Sequence, residues 1–313
     1  MRSKFLSLLL LIVLLASAAC TPAATPVVPT AAPATQAPAT AVPATPVPAT
    51  QAPSATAVPA TRTVAPTQAA AGAKTLTVLA AASLTESFTE LGTLFESQNP
   101  GVKVAFSFAG SQQLAQQLDQ GAAVDVFASA SPKYMTAAVT SKRVNQADAQ
   151  TFVKNRLVVI FPKANPAGLT ALKDLAKPGL KIDLEDKSVP AGQYSLDFLA
   201  KASKDPGFDP NYEANVLKNV VSYETDVKVV VSKVSLGEAD AGIVYITDYN
   251  AASDKLGKLD IPDALNTVAV YPIAPISDSK NPDLAKAFVA LVLSPDGQAV
   301  MAKYGFVPAA GSK

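Results

Sequence analysis

The sequence predicts a two-lobed α/β fold, on three observations. From Thr75 onward, short β-branched runs alternate with helical patterns, which argues for parallel or mixed sheets covered by helices on both faces. Two apolar segments, Leu157–Pro162 and Tyr271–Pro275, sit where a chain that builds one lobe would cross to a second and later return. With 49% of its residues apolar, the chain beyond its Pro-rich stretch is long enough for two small lobes.

The strand candidates, in order, are Thr75–Leu79, Val102–Phe108, Val124–Ala128, Leu157–Phe161, Lys181–Leu184, Ala241–Ile246 and Asn266–Ile273. Between them the helix candidates are Leu84–Ser97, Gln112–Gln120, Ala191–Lys201, Asp226–Leu236, Pro282–Leu293 and Pro295–Lys303. This order divides the folded part into a first lobe, residues 74–155 with 268–313, and a second lobe, residues 156–267. A ligand would sit between them, outside strand ends and at helix N-termini.

Residues 1–20 have the layout of a signal peptide. Arg2 and Lys4 precede the apolar run Phe5 to Leu15, which is well short of the ~20 residues of a membrane-spanning helix, and small residues lead to Cys20. LASAAC resembles a bacterial lipoprotein signal, so Cys20 is the expected lipidation site, with an ordinary secretory signal as the alternative. Residues 21–73 hold 11 of the 25 prolines, one charge (Arg62) and no aromatic side chain. Such a segment buries too little surface to offset chain entropy and reads as a disordered tether.

Composition removes several functions. A net charge of +1 offers no basic face for nucleic acid. The absence of histidine removes the usual acid/base group, the Ser-His-Asp and Cys-His hydrolase arrangements, and imidazole metal sites. One cysteine forms no intramolecular disulfide, so the fold rests on its apolar core. No G-x-x-x-x-G-K-[ST] loop is present, and any ATP hydrolysis belongs to a partner.

Four helix starts stand out. Ser83 follows a strand and opens SLTE, Ser111 follows Phe108-Ala109-Gly110, Pro190-Ala191-Gly192 opens a third helix, and Thr225-Asp226-Val227 opens a fourth. Helix N-termini carry unpaired N–H groups and the positive end of a dipole, and several together can bind an anion without Lys or Arg. Each also has a structural explanation: Ser83-x-x-Glu86 fits a capping box, Ser111 an N-cap, Gly110 and Gly192 turns, and Tyr245 a core aromatic.

Seven ordered blocks decide between these readings. LTVLAAASLTESF, FSFAGSQQLAQQLDQGAAVDVFASA, NRLVVIFPKAN, SVPAGQYS, GEADAGIVYITD, SDSKNPDLAKAF and LSPDGQAVMAKYGF resemble the successive signatures of bacterial molybdate-binding proteins of ABC importers. The resemblance implies a periplasmic-binding-protein-like fold of type II. It also implies a molybdate or tungstate oxyanion held by neutral donors, with no protein–metal bond and no cofactor. The implied ligands are Ser83, Ser111, Ala191, Val227 and Tyr245. The implied partner is an ABC permease with a separate ATPase, served by a monomeric carrier on the outer face of the membrane.

Neutral donors predict rejection of hydrogen phosphate, whose proton would find no acceptor. Asp226, beside the site, is expected to cap its helix or point away. The alternatives are a carrier of another oxyanion such as sulfate, a structural lipoprotein, or a serine enzyme. Ser277-x-x-Lys280 has serine–lysine spacing, but the S-D-N and K-T-G elements that accompany it are missing.

Overall fold

The computed structural model describes residues 74–309. The expectations for the signal peptide, Cys20 and the tether fall on residues 1–73 and lie outside the described residues. The chain begins with β1 (Lys74–Ala81), α1 (Thr85–Gln98), β2 (Val102–Ala109), α2 (Ser111–Asp119), β3 (Val126–Ala128), α3 (Pro132–Thr140) and β4 (Gln150–Asn155). It continues through β5 (Leu157–Pro162), β6 (Ile182–Glu185), α4 (Pro190–Ala202), α5 (Tyr212–Lys218), β7 (Val220–Glu224), α6 (Val227–Leu236), β8 (Ala241–Tyr245), α7 (Ile246–Ala251) and β9 (Leu256–Asp260). The last elements are β10 (Ala269–Pro275), α8 (Pro282–Leu293), α9 (Pro295–Lys303) and β11 (Val307–Pro308).

These strands form two mixed sheets. The first has the order β11-β4-β10-β3-β1-β2 and the second β7-β6-β8-β5-β9. In the first, β1 runs parallel to β2 and β3, while β10 is antiparallel to β3 and β4. In the second, β6 is parallel to β7 and β8, and β5 antiparallel to β8 and β9. Central strand β1 is covered on both faces, with Leu76, Val78 and Ala80 in one core and Leu79 in another. That is why it reads as a nearly unbroken apolar run. Edge-to-face contacts of Phe288 with Phe88 and Phe95 pack α8 against α1.

The crossings lie just before the two apolar segments expected to make them. The chain leaves the first sheet at Arg156, between β4 and β5, and returns through residues 261–268, ahead of β10. Leu157–Pro162 and Tyr271–Pro275 are thus paired strands, because β-branched apolar runs are buried in ladders and polar residues make the turns. Asn266 bonds both sides of Leu157 at the crossing, accepting from its N–H at 3.1 Å and donating to its carbonyl at 2.9 Å.

Helices α1, α2, α4, α6, α8 and α9 fall on the expected segments to within about a residue at most ends, whereas α3, α5 and α7 were not expected. Strands β4, β7, β9 and β11 were also missed. They are short or polar, and β7, β9 and β11 sit at sheet edges, where one face is free of the core and alternation fades. Asn266–Ile273 begins as strand only at Ala269, because Asn266 serves the crossing.

Candidate functional site: a donor-lined cavity between the sheets

Five strand ends feed one space. β1 leads through a 3-10 turn (Ala82–Leu84) that carries Ser83, β2 through Gly110 to Ser111, β6 to Ala191, β7 to Val227, and β8 ends on Tyr245. All five of these residues line one cavity, together with Ala81, Ala82, Ala109, Ala130 and others. All five are also nearly fully buried, at 1–3% exposure.

Two glycines make the approach possible. A Cβ on Gly110 would stand 2.3 Å from the Thr225 carbonyl oxygen of the second lobe, so only glycine lets the lobes meet there. A Cβ on Gly192 would stand 2.1 Å from the Asp186 carbonyl oxygen, so glycine also lets α4 start hard against the loop before it. Gln112 Nε2 then donates to the Thr225 carbonyl at 3.0 Å across the gap. The Tyr134 hydroxyl donates to the Ser188 carbonyl, likewise from the first lobe to the second.

Neither serine caps a helix. The N-cap of α1 is Leu84, which makes no side-chain cap bond, and the Ser83 hydroxyl instead lies 2.8 Å from the Tyr271 hydroxyl. The N-cap of α2 is Gly110, and Ser111 Oγ accepts the Ala130 N–H at 3.0 Å, which leaves its own proton free to donate. The capping-box and N-cap explanations therefore give way, because tertiary partners take the hydroxyls. Asp226 does cap its helix, accepting from Lys228 N–H at 2.9 Å and Val229 N–H at 3.3 Å, yet it also lines the cavity.

The Tyr245 hydroxyl is buried without a well-formed hydrogen bond, although the nearby Tyr271 hydroxyl is close enough to perturb it. Burial pushes both phenols well above their ordinary pKa, so both remain donors. Behind them Asn155 Nδ2 donates to Thr247 Oγ1 at 2.9 Å and reaches Tyr271 at 3.4 Å. Tyr271 thus stands between Asn155, which donates to it, and the Ser83 hydroxyl at the cavity wall.

Three further residues at the site were not anticipated from sequence. Glu185 lines the cavity at 4% exposure, and its Oε2 accepts the Gly192 N–H at 3.1 Å. Burial, then the charges of Asp248 and Asp226, push its carboxyl well above the usual range. Glu185 thus adds a carboxyl to a wall expected to hold only N–H and O–H donors. Tyr271 reads as strand core, with nothing local to mark it. Lys228 lies 2.8 Å from Glu86 of α1 and 3.0 Å from the fully buried Asp248. Burial works against its ammonium, but Asp248 and Glu86 together hold its pKa above the ordinary lysine value. Among the described residues no cluster of three or more His, Cys, Asp or Glu is arranged to hold a metal ion.

Known proteins share this architecture. A family model for bacterial extracellular solute-binding proteins matches residues 76–307. The molybdate-binding protein ModA of Mycobacterium tuberculosis is 37% identical over 241 residues, 77% of this chain and 86% of that protein. A putative ABC transporter substrate-binding lipoprotein of Bacillus subtilis, YvgL, is 32% identical over 234 residues, 74% of this chain and 86% of that one. Among solved structures, the substrate-binding domain of a putative molybdenum ABC transporter from Clostridium difficile superposes with a TM-score of 0.57 at 30% identity. It covers 75% of this chain and 99% of that domain. Two mixed sheets that enclose a cavity of helix starts, a family match across nearly all the described residues, and relatives above 30% identity agree: the chain belongs to the bacterial extracellular solute-binding protein family.

Proposed function

We propose that the protein captures molybdate or tungstate between its lobes and delivers it to an ABC importer. The observation that carries this reading is the Tyr245 hydroxyl. A buried hydroxyl without a well-formed partner is unfavourable by about 1 to 3 kcal/mol, and it borders a cavity where the starts of α2, α4 and α6 converge. A tetrahedral oxyanion supplies acceptors for it, for the Ser83 and Ser111 hydroxyls, and for the Ala191 and Val227 amides. All these donors meet ligand oxygens, so no protein atom bonds the metal. The names of the M. tuberculosis and C. difficile relatives support molybdate in particular.

The lobes are residues 74–155 with 268–313 and residues 156–267, a division that sheet membership supports. Ligand bound to donors from both would favour the closed arrangement that a permease recognises. The cavity is a binding site without chemistry, and stoichiometric labelling of Ser83 by a serine-reactive probe would overturn that. Cys20 is the anchor, a reading the lipoprotein relative supports; an unmodified Cys20 in the mass of the mature N-terminus would remove it.

Thermal unfolding with molybdate, tungstate, sulfate and phosphate in turn tests the ligand. An anion present at a thousand times its dissociation constant adds about 4 kcal/mol. Molybdate and tungstate are expected to raise the transition; a shift with sulfate alone would reassign the cavity to sulfate.

A further inference from the structure

Glu185 stands where an oxyanion's negative charge would be least welcome. Its Oε2 accepts the Gly192 N–H at 3.1 Å, and the Ala191 N–H is directed at the same carboxyl. The ionised carboxylate and an oxyanion are thus rivals of like charge for one helix start.

Among the described residues, the charges that act on Glu185 are those of other acids. Asp226 faces Glu185 from the start of α6 and Asp248 from α7, with Tyr245 at the end of β8 and Tyr194 in α4. Lys228 of α6 is engaged by Asp248 and by Glu86 of α1. Four carboxyls are thus set against one ammonium, which pairs with two of them, Asp248 and Glu86. Burial and these charges already favour the protonated form of Glu185.

We propose that Glu185 is the proton acceptor of the cavity: anion binding and uptake of one solvent proton by its carboxyl are a single coupled event. The neutral acid no longer competes for the Ala191 and Gly192 amides and donates its proton to a ligand oxygen. Glu185 thereby sets how strongly affinity depends on pH. The same carboxyl, when ionised, accepts a proton from an anion that carries one, so it also bears on the choice between protonated and unprotonated oxyanions. This inference rests on the oxyanion reading.

The test is calorimetric titration of the full chain with molybdate from pH 6 to 9, in buffers of different ionisation enthalpy, for the wild type and Glu185→Gln. The wild type is expected to take up close to one proton per anion toward the alkaline end, with affinity falling up to about tenfold per pH unit there. Glu185→Gln is expected to take up none, to bind with nearly constant affinity, and to bind at least about tenfold tighter than the wild type at pH 9. Binding by the wild type without proton uptake at any pH overturns the inference and leaves the oxyanion reading standing, and this arm holds even if the variant does not fold. Equal uptake by the two proteins overturns it as well. Absence of binding by any oxyanion removes both readings together.

Discussion

The two sides of the cavity solve different problems. The first-sheet side presents Ser83 and Ser111 among Ala81, Ala82, Ala109 and Ala130, with each hydroxyl in contact with a neutral partner. The second-sheet side presents Ala191, Val227 and Tyr245 beside Glu185 and Asp226. One side directs hydrogen bonds at fixed angles. The other directs them too, but places acids among the donors, and so makes the outcome sensitive to charge and protons. On the proposed function, selectivity for shape would belong to both sides, and sensitivity to pH to the second.

The strongest way to break this contrast is to remove the group that joins the sides. Lys228→Met leaves Asp248 buried without its cation and severs the link to Glu86, and is expected to lower stability by about 3 to 5 kcal/mol. Chemical denaturation without ligand reads this directly, and a loss under 1 kcal/mol would show that the cluster is solvated.

The serines test the directing role. Ser83→Ala and Ser111→Ala should each weaken molybdate binding by about 1.5 to 3 kcal/mol, the scale of hydrogen bonds to charged groups. Titration of each variant measures it; unchanged affinity in both would remove the first side from the site.

Tyr245→Phe separates binding from folding. The hydroxyl has no well-formed bond to lose, so the ligand-free transition should stay level or rise, while affinity drops by about 1 to 2 kcal/mol. Thermal scans with and without molybdate show both, and a lower ligand-free transition would mean the hydroxyl is satisfied within the protein.

A test away from the cavity asks whether the acidity of the second sheet is confined to the site. Asp183, fully buried on β6, has its carboxyl raised to about 7 by burial and then by Glu224, which itself pairs with Lys233. Its folded state holds a proton longer than the unfolded chain does. Stability is therefore greatest below the ordinary aspartate value and is lost as pH rises from there through about 7. Asp183→Asn removes this loss, which is worth about 1 to 3 kcal/mol after allowing for the coupled neighbours. Denaturation at pH 5 and 8 should show a flatter profile for the variant; parallel profiles would place the titration elsewhere.

Much of this molecule was legible in the chain. Helices α8 and α9 begin at Pro282 and Pro295, and their bounds were read without error because capping and periodicity are local. The five candidate residues fall in one cavity because each stands next to a strand end, which the alternation of apolar runs marks. Edge strands β7 and β9 escaped, since a strand with one solvated face and polar residues leaves little pattern. Val221 and Tyr223 are exposed on β7, and Tyr223 still has no role that its position explains.

The sequence by itself determined the alternation of strands and helices, the apolar core, and the helix starts that offer N–H and hydroxyl donors, because propensity, periodicity and capping act over a few residues. Only the tertiary structure decided what those donors meet. Glu185 and Ala191 are six positions apart, but Tyr271 reaches Ser83 across 188 residues and Lys228 reaches Glu86 across 142. Hydrogen bonds, burial and charge act through space, so the acidity of one wall, the partners of the serine hydroxyls and the bridge between the lobes arise only once the chain has crossed over and returned.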